Sequence, residues 1–181
     1  MRVRILSVLV LAGVAACGAP ATPPPASAPP PAATMSRSGA ARAEALEGAT
    51  ATYRKVDTHR EQGTGRTDLS GYFDHGRLAY LDENISAPGA PARHNRYFFE
   101  NGQLFYFKGE MQAGKIGGGP TALGASVPVR AEFAGARTLT AVSIEHYGET
   151  RLDAPAVEAI RRQGAELASA ITSEEQASRS R

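Results

Sequence analysis

This 181-residue chain has one cysteine, no tryptophan and almost no surplus of charge. A single cysteine cannot close an internal disulfide, so no cross-linked framework holds the fold. With 20 basic and 18 acidic residues the net charge is +2, too little for the electrostatic footprint of a nucleic-acid binder. No apolar run is long enough to cross the membrane, which takes roughly 20 residues of helix for about 30 Å of hydrocarbon. The main run, Ile5 to Val14, is short and is broken by Ser7 and Gly13. Chemical signatures are equally sparse. The four histidines, His59, His75, His94 and His146, have neither helical i,i+4 nor zinc-finger spacing, which gives no metal site. Ser70 and Ser126 sit in no nucleophile elbow, and no acid–base pair can be nominated. The expectation is a non-enzymatic protein with no cofactor.

The N-terminus is more informative. Arg2 and Arg4 precede the short apolar stretch, and Val14-Ala15-Ala16-Cys17 follows it. A positive start, a short apolar stretch and small residues at a cleavage point are the parts of an export signal. The four-residue phrase resembles a bacterial lipobox. That resemblance implies that residues 1–16 are removed as a signal peptide, that lipid is attached to the Cys17 thiol, and that the new amino terminus is acylated. Gly18 after the cysteine, in place of Asp, is similar to lipoproteins sorted to the outer membrane, facing the periplasm. The alternative is an ordinary secretory signal followed by a free thiol. Loss of Arg2 and Arg4 leaves 18 basic and 18 acidic residues, so membrane contact is expected through the lipid on Cys17 and not through a polybasic patch.

Residues 17–35 form a Pro/Ala-rich linker. The stretch 18–34 holds seven of the twelve prolines and no charge, favouring an extended spacer of roughly 50 Å. A folded unit is expected over residues 36–172, with a polar, fraying tail over 173–181. Ser36 to Gly48 is a candidate N-terminal helix, with Ser36 or Ser38 as its cap. From Thr50 the pattern turns to strand. Phe73-Asp74-His75-Gly76-Arg77-Leu78 and Phe99-Glu100-Asn101-Gly102-Gln103-Leu104 share one hairpin phrase. Phe133-Ala134-Gly135-Ala136-Arg137-Thr138-Leu139 reads as a third copy with one extra residue. Asn-Gly between β-rich runs predicts a type I′ turn, because both central residues need positive φ. A two-residue turn at Asn101-Gly102 pairs Phe99 with Leu104, Phe98 with Phe105, and Tyr97 with Tyr106. The C-terminal segment reads as a helix capped by Asp153, with Pro155 in its first turn. Val157, Ile160, Gly164, Leu167 and Ile171 form its apolar stripe. The predicted fold is α+β: one antiparallel meander of about six or seven strands with the C-terminal helix on one face.

Two further features bear on function. Gly109-Glu110-Met111-Gln112-Ala113-Gly114-Lys115-Ile116 misses the phosphate-loop pattern at its last residue, and Gly117-Gly118-Gly119-Pro120 follows where a helix should start. No nucleotide is expected, and residues 112–125 read as a loop between hairpins. Asp82, Glu83, Glu145 and Glu149 read as solvated groups. Nine of the twelve Tyr and Phe residues lie between 72 and 107. In the predicted register Tyr97, Phe99, Leu104 and Tyr106 share one face, while Phe98, Phe105 and Phe107 share the other. Both faces are then apolar, whereas half-buried strands alternate. Either the N-terminal helix or sheet curling covers the second face, or the Tyr-bearing face is open and docks a partner. The globular part resembles small bacterial envelope lipoproteins with a single antiparallel sheet. The expected role is a lipid-anchored binding or structural module contacting an envelope protein through Tyr97, Phe99, Tyr106 and Tyr80. The rivals are an inhibitor of a periplasmic or host hydrolase such as a lysozyme, and a periplasmic hydrolase.

Overall fold

The computed structural model describes residues 38–112, 126–145 and 148–180. The signal and lipobox with Cys17, the linker, most of the 112–125 loop and His146 lie outside the described residues. The elements in chain order are α1 (Gly39–Gly48), β1 (Arg54–Gln62), β2 (Gly65–Asp74), β3 (Arg77–Ala87), β4 (Ala90–Glu100), β5 (Gln103–Gln112), β6 (Ser126–Ala134), β7 (Arg137–Glu145), β8 (Gly148–Arg151) and α2 (Ala154–Arg179). All strands form one antiparallel sheet in sequence order, β1 to β8. The fold is the α+β meander expected, with eight strands rather than six or seven. The extra strand is the short β8, whose four exposed residues carry no apolar alternation to announce it.

The turns follow from local chemistry. His75 and Asn101 have φ of 46° and 52°, each followed by a glycine with positive φ, so both hairpins close through type I′ turns. The third hairpin turns at Gly135-Ala136, where the glycine has φ 58°. It carries no extra residue: Phe133 pairs with Thr138 and Ala134 with Arg137. Thr138 takes the place of Leu78 and Leu104, which corrects the alignment of Leu139 with those leucines.

All three hairpins share a device that was not expected. Pairing runs Phe73↔Leu78 then Tyr72↔Tyr80, Phe99↔Leu104 then Phe98↔Tyr106, and Phe133↔Thr138 then Glu132↔Thr140. Ala79, Phe105 and Leu139 are therefore the extra residues of three equivalent β-bulges. A bulge puts two residues opposite one and bends and twists the strand that carries it. It also moves every later side chain to the opposite face from a regular register. Tyr97 consequently pairs with Phe107, and Phe98 with Tyr106. The expected pairs Tyr97–Tyr106 and Phe98–Phe105 do not form.

The two faces are covered by the two helices. Ser38 caps α1, its hydroxyl accepting from the Ala41 N–H at 3.3 Å. Ala40, Ala43 and Leu46 pack onto Tyr80, Phe98, Phe105 and Tyr106, closing a small core. On the other face Leu69, Phe73, Leu81, Tyr97, Phe99, Phe107, Val129 and Phe133 meet Ile160, Leu167 and Ile171 of α2. Asp153 caps α2, accepting from the Ala156 N–H at 2.9 Å. Gly71 lets the helix approach closely: a Cβ there would lie 2.6 Å from Ile171 Cγ1.

α2 crosses the strands. Arg161 donates to the Gly135 carbonyl at the β6–β7 turn, Gly164 lies over Tyr97 and Leu104, Ile171 lies over Gly71 of β2, and Glu175 pairs with Arg54 of β1. Eight strands at about 4.8 Å spacing span about 34 Å. A helix of 26 residues spans about 39 Å, so α2 crosses the whole sheet like a bar. This crossing also corrects the C-terminal boundary. The helix does not end near residue 172 but continues to Arg179, because Glu175 is buried to 3% exposure and binds Arg54 and Arg179.

Candidate functional site

The aromatic residues expected to dock a partner are core residues. Tyr97, Phe99, Tyr80 and Tyr106 are 1%, 6%, 4% and 8% exposed. The bulge divides them: Tyr97 and Phe99 lie under α2, Tyr80 and Tyr106 under α1. Tyr80 stacks on Tyr72 with ring centroids 4.2 Å apart, and its hydroxyl meets Thr50 Oγ1 at 2.8 Å. Burial pushes its phenol pKa up to about 12. The covers foreseen as the alternative, α1 above all, close this face, so these four side chains offer no open surface.

The histidines do not converge among the described residues. His75 lies at an exposed turn and His59 is an exposed strand residue. His94 meets Asp82, which also faces Arg96 at 3.5 Å. Arg96 and Lys108 both donate to Glu47 of α1, at 2.6 and 2.7 Å. Burial alone would raise the Glu47 pKa, but these two hydrogen bonds outweigh it and hold the carboxyl below its ordinary value. The chain of charges fastens α1 to β3, β4 and β5. Ser70 donates to Asp57 at 2.6 Å and Ser126 to Glu110 at 2.9 Å, so neither hydroxyl is partnered by a base of the histidine type.

Because α2 is a single helix about 10 Å across, laid over strands of about 30 Å, a trough opens on either side of it. The trough away from the three equivalent turns has a volume of about 410 Å³ and is polar. Glu83, read from sequence as a solvated carboxylate, is instead 2% exposed at its floor. It accepts from Asn95 Nδ2 at 3.0 Å, the Tyr97 hydroxyl at 3.1 Å and Gln163 Nε2 at 2.9 Å. Asn95 in turn accepts from the Glu110 N–H at 2.9 Å. Burial, reinforced by the neighbouring Glu83 charge, pushes the Tyr97 phenol up. Arg60, Arg93 and Arg162 stand around this network, with Glu110 and Glu166 among them. It ties α2 to β3 and β4 through buried polar groups.

The trough on the turn side is larger, about 960 Å³, within the range of small-molecule sites. Its floor is Leu78, Phe99 and Leu104, one or two residues from the turns of the first two hairpins. Its helical wall is made of small residues, Ala165, Ala168, Ser169, Thr172 and Ser173. Those side chains leave the space empty where larger ones would fill it. Arg77 stands at one end and Arg161 at the other. Arg161 is held by Gly135 O at 2.9 Å and lies 4.3 Å over the Phe133 ring. Of the docking residues named from sequence only Phe99 lines this groove, from its floor. The signal that could have found it is the run of small residues on α2 beside the stripe Ile160, Gly164, Leu167 and Ile171.

No protein-family model matches this chain, and comparison with curated proteins and with solved structures finds none similar to it.

Proposed function

We propose that this chain is a lipid-anchored protein of the bacterial cell envelope, held through lipid on Cys17 at the periplasmic side of the outer membrane. Its folded unit acts as a non-catalytic binding module whose site is the groove between α2 and the hairpin turns. The lipobox-like Val14-Ala15-Ala16-Cys17 supports the anchor. The observation that carries the binding role is the 960 Å³ groove, floored by Leu78, Phe99 and Leu104 and walled by small residues. Such a shape suits an extended apolar chain. From Arg161 to Gln176 the helix runs about 22 Å, longer than the roughly 15 Å of hydrocarbon in one membrane leaflet.

The test uses the full chain carrying Cys17→Ser and the uncharged reporter N-phenyl-1-naphthylamine. Straight-chain alcohols should displace the reporter about tenfold more tightly for every two methylenes added, since each buried CH₂ contributes about 0.8 kcal/mol. The gain should level off once the groove is filled. Ala165→Trp, which fills the groove from an exposed helix position, should abolish displacement while leaving the far-UV circular dichroism unchanged. No reporter binding, or binding unaffected by Ala165→Trp, refutes the groove. For the anchor, labelled palmitate should enter the wild type and not Cys17→Ala; equal labelling of both refutes it.

A further inference from the structure

The charge around this groove specifies more than an apolar chain. Sixteen of the described residues line it, among them Arg77 and Arg161, and none of these is a carboxylate. The polar trough on the other side of α2 differs, with Glu83, Glu110 and Glu166 facing its three arginines. Of the acids beside the groove, Glu100 and Glu175 are held by other partners, while Asp74, opposite Arg77 in the hairpin, is not among the lining residues. Glu100 reaches across to Arg42 of α1 at 2.8 Å, and Asp74 lies 3.6 Å from His75. Glu175 is buried between Arg54 and Arg179. Arg161 is engaged by Gly135 and Thr138. Arg77, paired in register with Asp74, forms no hydrogen bond or ion pair with it or with any other described residue, and its side chain is exposed at the mouth. Arg179 lies beside it, with Nη2 3.0 Å from the Cβ position that Gly76 leaves vacant.

An apolar floor that ends at a guanidinium with no ion-pair partner among the described residues is complementary to a molecule with an aliphatic tail and an anionic head. A planar guanidinium binds carboxylate or phosphate oxygens with two parallel N–H donors, which an ammonium cannot do. Resting on the groove reading above, we propose that the ligand is an anionic single-chain amphiphile, its tail on Leu78, Phe99 and Leu104 and its carboxylate or phosphate at Arg77. A free fatty acid and a lysophospholipid share this chemistry.

The experiment is reporter displacement from the full chain carrying Cys17→Ser, with four competitors of equal chain length: a fatty acid, the matching alcohol, the matching amine and a lysophosphatidic acid. The acid and the lysophosphatidate should compete at least tenfold better than the alcohol, and the amine worst. A stronger lysophosphatidate identifies a lipid headgroup as the source, and a stronger fatty acid a free acid; either supports the anion site. Arg77→Ala should bring the ratio of acid to alcohol to about one, and Arg77→Lys should restore only part of it. Equal competition by acid and alcohol in the unaltered groove, or a preference that survives Arg77→Ala, overturns the assignment. Either result leaves the groove standing so long as the alcohol still competes, whereas failure of every competitor removes the groove itself.

Discussion

Glu83 is the residue whose removal the structure prices most clearly. Its carboxylate is the common acceptor for Asn95 Nδ2, the Tyr97 hydroxyl and Gln163 Nε2. Asn95 and Tyr97 are 4% and 1% exposed, so Glu83→Ala leaves both donors without their buried acceptor. A buried donor left without a partner costs about 1–3 kcal/mol, giving about 2–6 kcal/mol for the two. Gln163 is half-buried and turns to solvent at little cost. A loss of that size is a large part of the roughly 5–15 kcal/mol that holds a domain together. Glu83→Gln keeps the one acceptor oxygen that Asn95 and Tyr97 share but loses the charge assistance and the second oxygen facing Gln163, so about 1–2 kcal/mol is expected. The two substitutions Glu83→Ala and Tyr97→Phe should also be non-additive. In Tyr97→Phe one of the orphaned donors is already gone, so Glu83→Ala should be less harmful in that background. Urea unfolding followed by circular dichroism, with unchanged slopes, measures all four corners of the cycle. A Glu83→Ala protein within 0.5 kcal/mol of wild type, or a strictly additive cycle, refutes the idea that this network clamps α2 to the sheet.

Two further outcomes follow from the packing of the helices. Gly71→Ala should destabilise by about 1–3 kcal/mol, the usual penalty for overpacking, because its Cβ would stand 2.6 Å from Ile171 Cγ1; a neutral Gly71→Ala in the same urea assay would show that α2 is not seated on β2. The lowered pKa of Glu47 makes the docking of α1 sensitive to acid. A carboxyl whose folded pKa lies below its unfolded 4.5 contributes stability above pH 4.5, and this is lost as pH falls through the folded value. Hydrogen exchange in α1 should therefore accelerate relative to α2 on going from about pH 6 to about pH 3. Glu47→Gln should flatten that difference, and a difference that persists would show that Glu47 is not the group responsible.

The local devices were legible because they are written in residues with local reasons. His75-Gly76 and Asn101-Gly102 announce positive φ, Ser38 and Asp153 announce caps, and the 3-4 spacing from Val157 to Ile171 announces the buried side of α2. The bulges at Ala79, Phe105 and Leu139 were not legible. No residue type marks them, since they answer to the twist the sheet needs and not to a local preference. That single omission exchanged Tyr106 and Phe107 between the two faces, and α1 and α2 then cover one face each. The end of α2 was hidden in the same way. Residues 173–179 read as polar, and what holds them helical is the pairing of Glu175 with Arg54 from the far edge of the sheet. Glu83 looked solvated because its partners Asn95 and Gln163 are distant in sequence and meet only when α2 crosses β3 and β4.

The groove can be separated from ordinary imperfect packing by what its own residues do to stability. Along α2 the side facing the core carries Ile160, Leu167 and Ile171, while the side facing the turns carries Ala165, Ala168 and Ser169. A helix selected only to cover Leu78, Phe99 and Leu104 would place larger apolar residues there, since each added buried CH₂ contributes about 0.8 kcal/mol. Stability left uncollected at a binding site is a recurrent cost of function. Ala165→Trp should therefore raise the melting temperature, or leave it unchanged, while removing reporter binding. Loss of both stability and binding would mean that the helix wall is needed as it stands for folding. In that case the space beside it would be a by-product of the crossing angle and not a site.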